Sequence, residues 1–109
     1  MAYRPIMSSG DLPEGEPRPL TLDGQEVLLV RHEGAVYAMG NVCSHAYALL
    51  TDGWYEDGCV ECPLHQAAFD VRTGRPTCGP ATAPVPIFAV TERHGQIMLD
   101  LAIPAHIDT

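Results

Sequence analysis

"CVECPLHQAAFD", residues Cys59 to Asp70, sets two cysteines and a histidine within seven residues. A second fragment, "CSH", Cys43 to His45, begins sixteen residues upstream of Cys59. Thiols at such spacing serve three chemistries: a disulfide pair, a zinc site, or an iron–sulfur cluster that moves electrons. Each needs different surroundings, so the rest of the chain has to separate them.

A disulfide framework belongs to secreted chains. The amino-terminal stretch "MAYRPIMSSGDLPEGEPRP" has no apolar core of signal-peptide length. The longest aliphatic run, "VLLV" at Val27 to Val30, is far too short for a membrane span. The expected location is therefore the cytoplasm, without membrane association, where thiols stay unbridged.

Bulk composition narrows the function further. At 109 residues one domain is expected, able to bury roughly 60–70% of the surface its unfolded chain exposes. Fourteen Asp and Glu face six arginines and no lysine, a formal net charge of −8. No basic cluster exists to neutralise phosphates, so nucleic acid is excluded as a partner. The acidity keeps the chain soluble and suits docking against basic faces of other proteins.

Ten prolines and ten glycines indicate many turns and short strands. "PRPLTL" (Pro17–Leu22), "EVLLVRH" (Glu26–His32) and "AVYAM" (Ala35–Met39) read as strands, with "HEGA" a tight hairpin between the last two. "IFAVTER" (Ile87–Arg93) and "QIMLD" (Gln96–Asp100) form a second hairpin around "HG". Their loose apolar–polar alternation is that of half-buried antiparallel strands. "SSGDLPEGE" holds one short helical turn at most. Between the hairpins, Asn41 to Pro84 carries all four cysteines and a proline-rich close, "CGPATAPVP". This segment has little aliphatic core of its own, and a metal site would supply the missing crosslink.

Cys43-x-His45 and Cys62-x-x-His65 offer two thiolates and two imidazoles on two loops. Four such ligands suit tetrahedral zinc. Zinc knuckles, however, usually pair Cys with Cys at one end and His with His at the other. One of each per loop fits a two-iron cluster with chemically different irons, two thiolates on one and two imidazoles on the other. On chemistry alone, Cys59 is a rival ligand to Cys62.

"C-x-H", sixteen intervening residues and "C-P-L-H" together resemble the Rieske iron–sulfur proteins. Through "LLTDGWYEDGCVECPLHQAAFDVRTG" (Leu49–Gly74) the chain is similar to the small ferredoxins of bacterial multicomponent aromatic-ring dioxygenases. The resemblance implies an all-β Rieske fold in a single domain, 1–109. Its basal antiparallel framework would be 1–40 and 85–109, with an inserted cluster-binding segment, 41–84, of loops and short strands. It implies one [2Fe-2S] cluster on Cys43, His45, Cys62 and His65, and no catalytic residue. The function implied is a soluble one-electron carrier, loaded by a FAD-containing NADH:ferredoxin reductase and unloaded by a Rieske-type terminal oxygenase in aromatic-compound catabolism.

Departures from the family pattern bear on the potential. Rieske centres span roughly −150 to +300 mV, against about −400 mV for plant-type ferredoxins. High-potential relatives place a serine and a tyrosine where this chain has Ala67 and Phe69, and a loop-bridging cysteine pair where it has Leu64 and Ala48. Without those donors the low end of the range is expected.

The remaining residues receive blander readings. Cys59 is expected as a small packed hydrophobe, and Cys78, beside the loop-like Gly79-Pro80-Ala81, as a free thiol near the site. His32, His94 and His106 read as solvated surface histidines. Trp54 and Tyr55 are expected beneath the cluster segment, and Asp70 at a hairpin corner in "DVRTG". Tyr47, Leu64, Gln66 and Pro80 are the candidate partner contacts. An autonomous oxygenase would need a mononuclear iron on two histidines and a carboxylate; too little chain follows His65 to build its pocket. A nitrite-reductase small subunit shares the implied fold, but such subunits often lack the ligands present here.

Overall fold

The computed structural model describes residues 3–43, 48–64, 67–78 and 83–104, excluding the side chains of Cys78 and of 102–104. His45, Tyr47, His65, Gln66, Pro80 and His106 lie outside the described residues.

Among the described residues, ten strands form two antiparallel sheets. The larger contains β1 (Arg4–Ser8), β2 (Arg18–Leu22), β3 (Gln25–His32), β4 (Ala35–Gly40), β9 (Ile87–Arg93) and β10 (Gln96–Pro104), in the order β1-β10-β9-β4-β3-β2. The smaller runs β5-β6-β7-β8 in chain order: β5 (Trp54–Glu56), β6 (Cys59–Glu61), β7 (Ala68–Asp70) and β8 (Pro76–Cys78). Both expected hairpins are present, β3–β4 and β9–β10, and β4 pairs with β9 through Ala38↔Phe88 and Met39↔Ile87 to join them. Short helical turns occupy Ser9–Asp11 and Leu50–Asp52. Strand β1, which the sequence reading left out, pairs with β10 through a register shift between Pro5 and Met7. That irregularity, with a proline early in a five-residue strand, explains why its alternation is hard to read.

The β3–β4 hairpin turns through Glu33 (φ 52°) and Gly34 (φ 85°). Two consecutive left-handed residues are the two-residue turn whose twist matches the flanking strands. His94 (φ 54°) and Gly95 (φ 76°) do the same between β9 and β10.

The run "VLLV" at the centre of β3 is fully buried at all four residues. The half-buried pattern expected for this strand therefore gives way to burial on both faces. Alternate side chains go to opposite sides: Val27 and Leu29 join Leu12, Phe88, Ile97 and Leu99 inside the framework. Leu28 and Val30, with Met39 of β4 and Val85, pack instead against Leu50, Val60, Phe69 and Val71 of the inserted segment. The segment thus shares a core with the framework. Each such aliphatic side chain contributes about 1.5–3 kcal/mol on burial.

Candidate metal centre

Strand β4 runs directly into the first cysteine loop. The Cys43 amide donates to Ala48 O at 2.9 Å, closing that loop. The second loop follows β6, and there the Cys62 amide donates to Ala67 O at 2.7 Å. Each closure joins a cysteine to the residue five positions on, and each bracketed tetrapeptide, 44–47 and 63–66, contains one motif histidine. The two loops therefore start and end alike, and Cys43 and Cys62 belong to the same buried core cluster. Cys43, Cys59 and Cys62 are all unbridged.

Asn41 anchors the first loop and was missed in the sequence. It is fully buried, yet each of its polar groups is satisfied. Its amide donates to Glu26 O, its carbonyl accepts from Leu50 N, its Oδ1 accepts from Thr51 N, and its Nδ2 donates to Thr51 Oγ1, all at 2.7–2.9 Å. A buried amide with every group paired holds one geometry. The available signal was an asparagine two residues before a motif cysteine, in a segment otherwise read as loop.

Gly53 sets the approach to the second loop. A Cβ there would stand 1.8 Å from Glu61 O and 3.1 Å from Pro63 Cδ, so only glycine permits β5 to lie against β6 and the following loop. The hairpin corner expected at "DVRTG" is observed: Asp70 Oδ1 accepts from Arg72 N at 2.8 Å, and Asp70 O accepts from Gly74 N at 2.7 Å. Burial pushes the Asp70 carboxyl up, but hydrogen bonds from the Arg72 side chain and amide together hold it below its ordinary value.

Three expectations are corrected. His32 is buried: its Nδ1 shares a 2.6 Å hydrogen bond with the Tyr55 hydroxyl, and its ring fits against Gly58, where a Cβ would approach Nε2 to 3.0 Å. It faces the smaller sheet because it lies on the same side of β3 as Leu28 and Val30. Tyr55 does pack inward, and burial foremost raises its hydroxyl pKa above the ordinary value. Trp54 does not; it is 60% exposed, since alternation along β5 that turns Tyr55 inward turns Trp54 outward. Cys59 is only half-buried, on that same outer face, where the Thr77 hydroxyl donates to its Sγ at 3.9 Å. His94 is exposed at its turn, as expected.

Ala67 and Phe69 are fully buried, Ala48 is half-buried, and Leu64 is 61% exposed at the second loop. Among the described residues no group of three or more His, Cys, Asp or Glu side chains is placed to hold a metal, so no second centre competes with the paired loops there.

Comparison with known proteins agrees with this architecture. The sequence model of the Rieske [2Fe-2S] domain matches residues 2–89. The chain is 36% identical over 99 residues to the anthranilate 1,2-dioxygenase ferredoxin subunit of Burkholderia cepacia, covering 91% of this chain and 92% of that one. It superposes with a TM-score of 0.86, at 38% identity, on the ferredoxin of carbazole 1,9a-dioxygenase from Nocardioides aromaticivorans IC177, covering 91% and 97% of the two chains. A further likeness, TM-score 0.88 at 26% identity over 96% of this chain and 97% of that one, is to a chain in a complex of reduced oxygenase and oxidized ferredoxin of a carbazole 1,9a-dioxygenase. With the match covering the smaller sheet, most of the framework and both cysteine loops, this chain belongs to the Rieske [2Fe-2S] family.

Proposed function

We propose that this protein is the electron-carrying ferredoxin of an aromatic-ring dioxygenase system, holding one Rieske-type cluster on Cys43, His45, Cys62 and His65. The observation that carries this reading is the matched closure of the two cysteine loops, Cys43 N to Ala48 O and Cys62 N to Ala67 O, over a shared buried core. The donor set suits the group: both thiols are unbridged and almost wholly shielded from water, and each loop brings one histidine. The bound cluster would supply a reversible one-electron couple, with imidazole on one iron lowering its negative charge and easing reduction.

The chain's own part is to hold and to shield. The Cys43 and Cys62 amides are engaged in closing their loops, and Asn41 and Gly53 fix where each loop leaves its strand. Val60, Phe69 and Leu50 exclude water behind the thiols. The carrier makes and breaks no substrate bond. It accepts electrons from a FAD-containing NADH:ferredoxin reductase and delivers them to a Rieske-type terminal oxygenase; a similar ferredoxin has been captured in complex with an oxygenase. No helix among the described residues is long and apolar enough to cross a membrane. With unbridged thiols at Cys43, Cys59 and Cys62, a cytoplasmic place accords with that.

Protein purified anaerobically should contain iron and acid-labile sulfide in equal amounts, and its reduced form should give the EPR signal of a mixed-ligand two-iron centre. His45→Ala or His65→Ala should abolish both the signal and the visible spectrum. Absence of inorganic sulfide, or a spectrum that survives either substitution, overturns the assignment.

A further inference from the structure

The outer face of the smaller sheet combines features that nothing in the cluster site uses. Trp54 is the only tryptophan of the chain and is 60% exposed. Directly across the strand pair from it stands Glu61, and two residues along the same face stands Glu56. Opposed pairs on one face place their Cβ atoms about 5 Å apart. With Asp57 at the turn, Cys59 and Thr77, these residues line an open groove of about 410 Å³.

Five acidic side chains elsewhere are engaged internally. Asp23, Glu16, Glu92 and Asp70 pair with Arg4, Arg18, Arg31 and Arg72, and Glu14 accepts the Glu33 and Gly34 amides. Among the described residues, no ion pair reaches Glu56, Asp57 or Glu61, and no cationic side chain lines the groove. An exposed indole face rimmed by uncompensated carboxylates fits one chemistry above others. A guanidinium stacks on the ring by cation–π attraction while its N–H fork engages carboxylate.

We infer that this groove is a docking subsite that receives an arginine side chain from a partner redox protein. The occupant is not a second copy of this chain: four of its six arginines are committed to the internal pairs above, and two molecules of net charge −8 repel. Position favours a role in electron transfer, since Glu61, opposite Trp54, immediately precedes Cys62, and the exposed Leu64 lies two residues beyond. A partner seated on the groove reaches the second cysteine loop within one footprint of the small, transient kind. This inference rests on the electron-carrier reading.

A single tryptophan makes the subsite directly observable. The holoprotein labelled with 5-fluorotryptophan gives one ¹⁹F resonance, to be followed on titration with the reductase and, separately, the oxygenase. That resonance should shift with at least one partner. Trp54→Ala should weaken binding to that partner about tenfold or more, Trp54→Phe should restore part of the loss, and Glu56→Gln with Glu61→Gln should flatten its salt dependence. The visible spectrum and midpoint potential should stay unchanged, which a general structural role would not predict. A shift with the reductase alone, or the oxygenase alone, supports the subsite and identifies its occupant. The inference is overturned if the resonance stays put with both partners at concentrations that saturate electron transfer. It is equally overturned if Trp54→Ala matters while the Gln variants leave salt dependence intact, because the occupant would then be apolar. If the unsubstituted protein exchanges electrons with neither partner, the carrier reading itself fails instead.

Discussion

At the residue scale, the environment of the two thiols turns on a few atoms. Ala67 is fully buried and its carbonyl closes the second loop, yet its methyl group offers no hydrogen-bond donor where high-potential relatives have a serine. Substituting Ala67→Ser adds a hydroxyl without a large change of volume. A donor to sulfur favours the reduced, more negative state, and a charge-assisted hydrogen bond is worth about 1.5 kcal/mol. The midpoint should therefore rise by tens of millivolts, about 60 mV for each tenfold change in the one-electron equilibrium. Protein-film voltammetry reads this directly, and an unchanged or lowered midpoint would refute it. The same scale accounts for Asn41, whose four hydrogen bonds are invisible in a sequence because their three partner residues, Glu26, Leu50 and Thr51, all lie nine or more positions away.

Between elements, two contacts fasten distant parts of the chain together, one across the sheets and one within the framework, and each makes a prediction. His32 on β3 and Tyr55 on β5 join the framework to the smaller sheet through one 2.6 Å hydrogen bond. Tyr55→Phe keeps the ring and strands a buried imidazole nitrogen, so the chain should lose about 1–2 kcal/mol of stability in urea titration. The visible spectrum should be retained, because neither residue belongs to the cysteine loops.

The second contact is Arg31, which donates to Glu92 Oε1 and Oε2 at 3.0 and 2.7 Å, to Leu12 O at 2.9 Å, to Gly34 O at 3.0 Å and to Ser9 O at 3.2 Å. It pins the first helical turn and the β3–β4 hairpin to β9. The Arg31 guanidinium holds the Glu92 carboxyl below its ordinary value of 4.5. A carboxyl whose folded-state pKa is depressed stabilises the fold above its unfolded value and loses that contribution as pH falls through the folded one. Glu92→Gln should thus cost up to about 1 kcal/mol at neutral pH, and the difference from the parent should narrow as pH falls below 4.5. Urea midpoints of the two proteins at pH 7 and pH 3 test this, and a gap no smaller at pH 3 than at pH 7 would contradict it.

For the whole molecule, charge is the dominant long-range property. A net charge of −8 without any lysine leaves a field that attracts basic partner faces over about 10 Å at 0.1 M salt. Bimolecular electron-transfer rates with reductase and oxygenase should fall by about an order of magnitude or more as ionic strength rises from low to several hundred millimolar. Stopped-flow measurement over that range checks it; rates indifferent to salt would remove the steering role. Burial follows the same whole-molecule logic. One strand, β3, feeds Leu28 and Val30 to one core and Val27 and Leu29 to another, so loosening the inserted segment exposes a framework face as well. Unfolding of segment and framework should consequently be a single transition.

The family and the two framework hairpins were legible in the sequence because both rest on local order, whereas β1 and the individual strands of the smaller sheet were not. The interval from "C-x-H" to "C-P-L-H" is covalent, and the alternation of "IFAVTER" or the glycine in "HEGA" needs only near neighbours to act. The motif histidines lie outside the described residues, so the assignment of four ligands rests on that spacing and on the two matched loop closures. What tertiary structure alone decided is which face meets what. His32 and Trp54 were read the wrong way round, one as solvated and the other as packed. A side chain's exposure is set by what lies over it: Tyr55 and the turn at Gly58 cover His32, while the outer face of β5 is left to water.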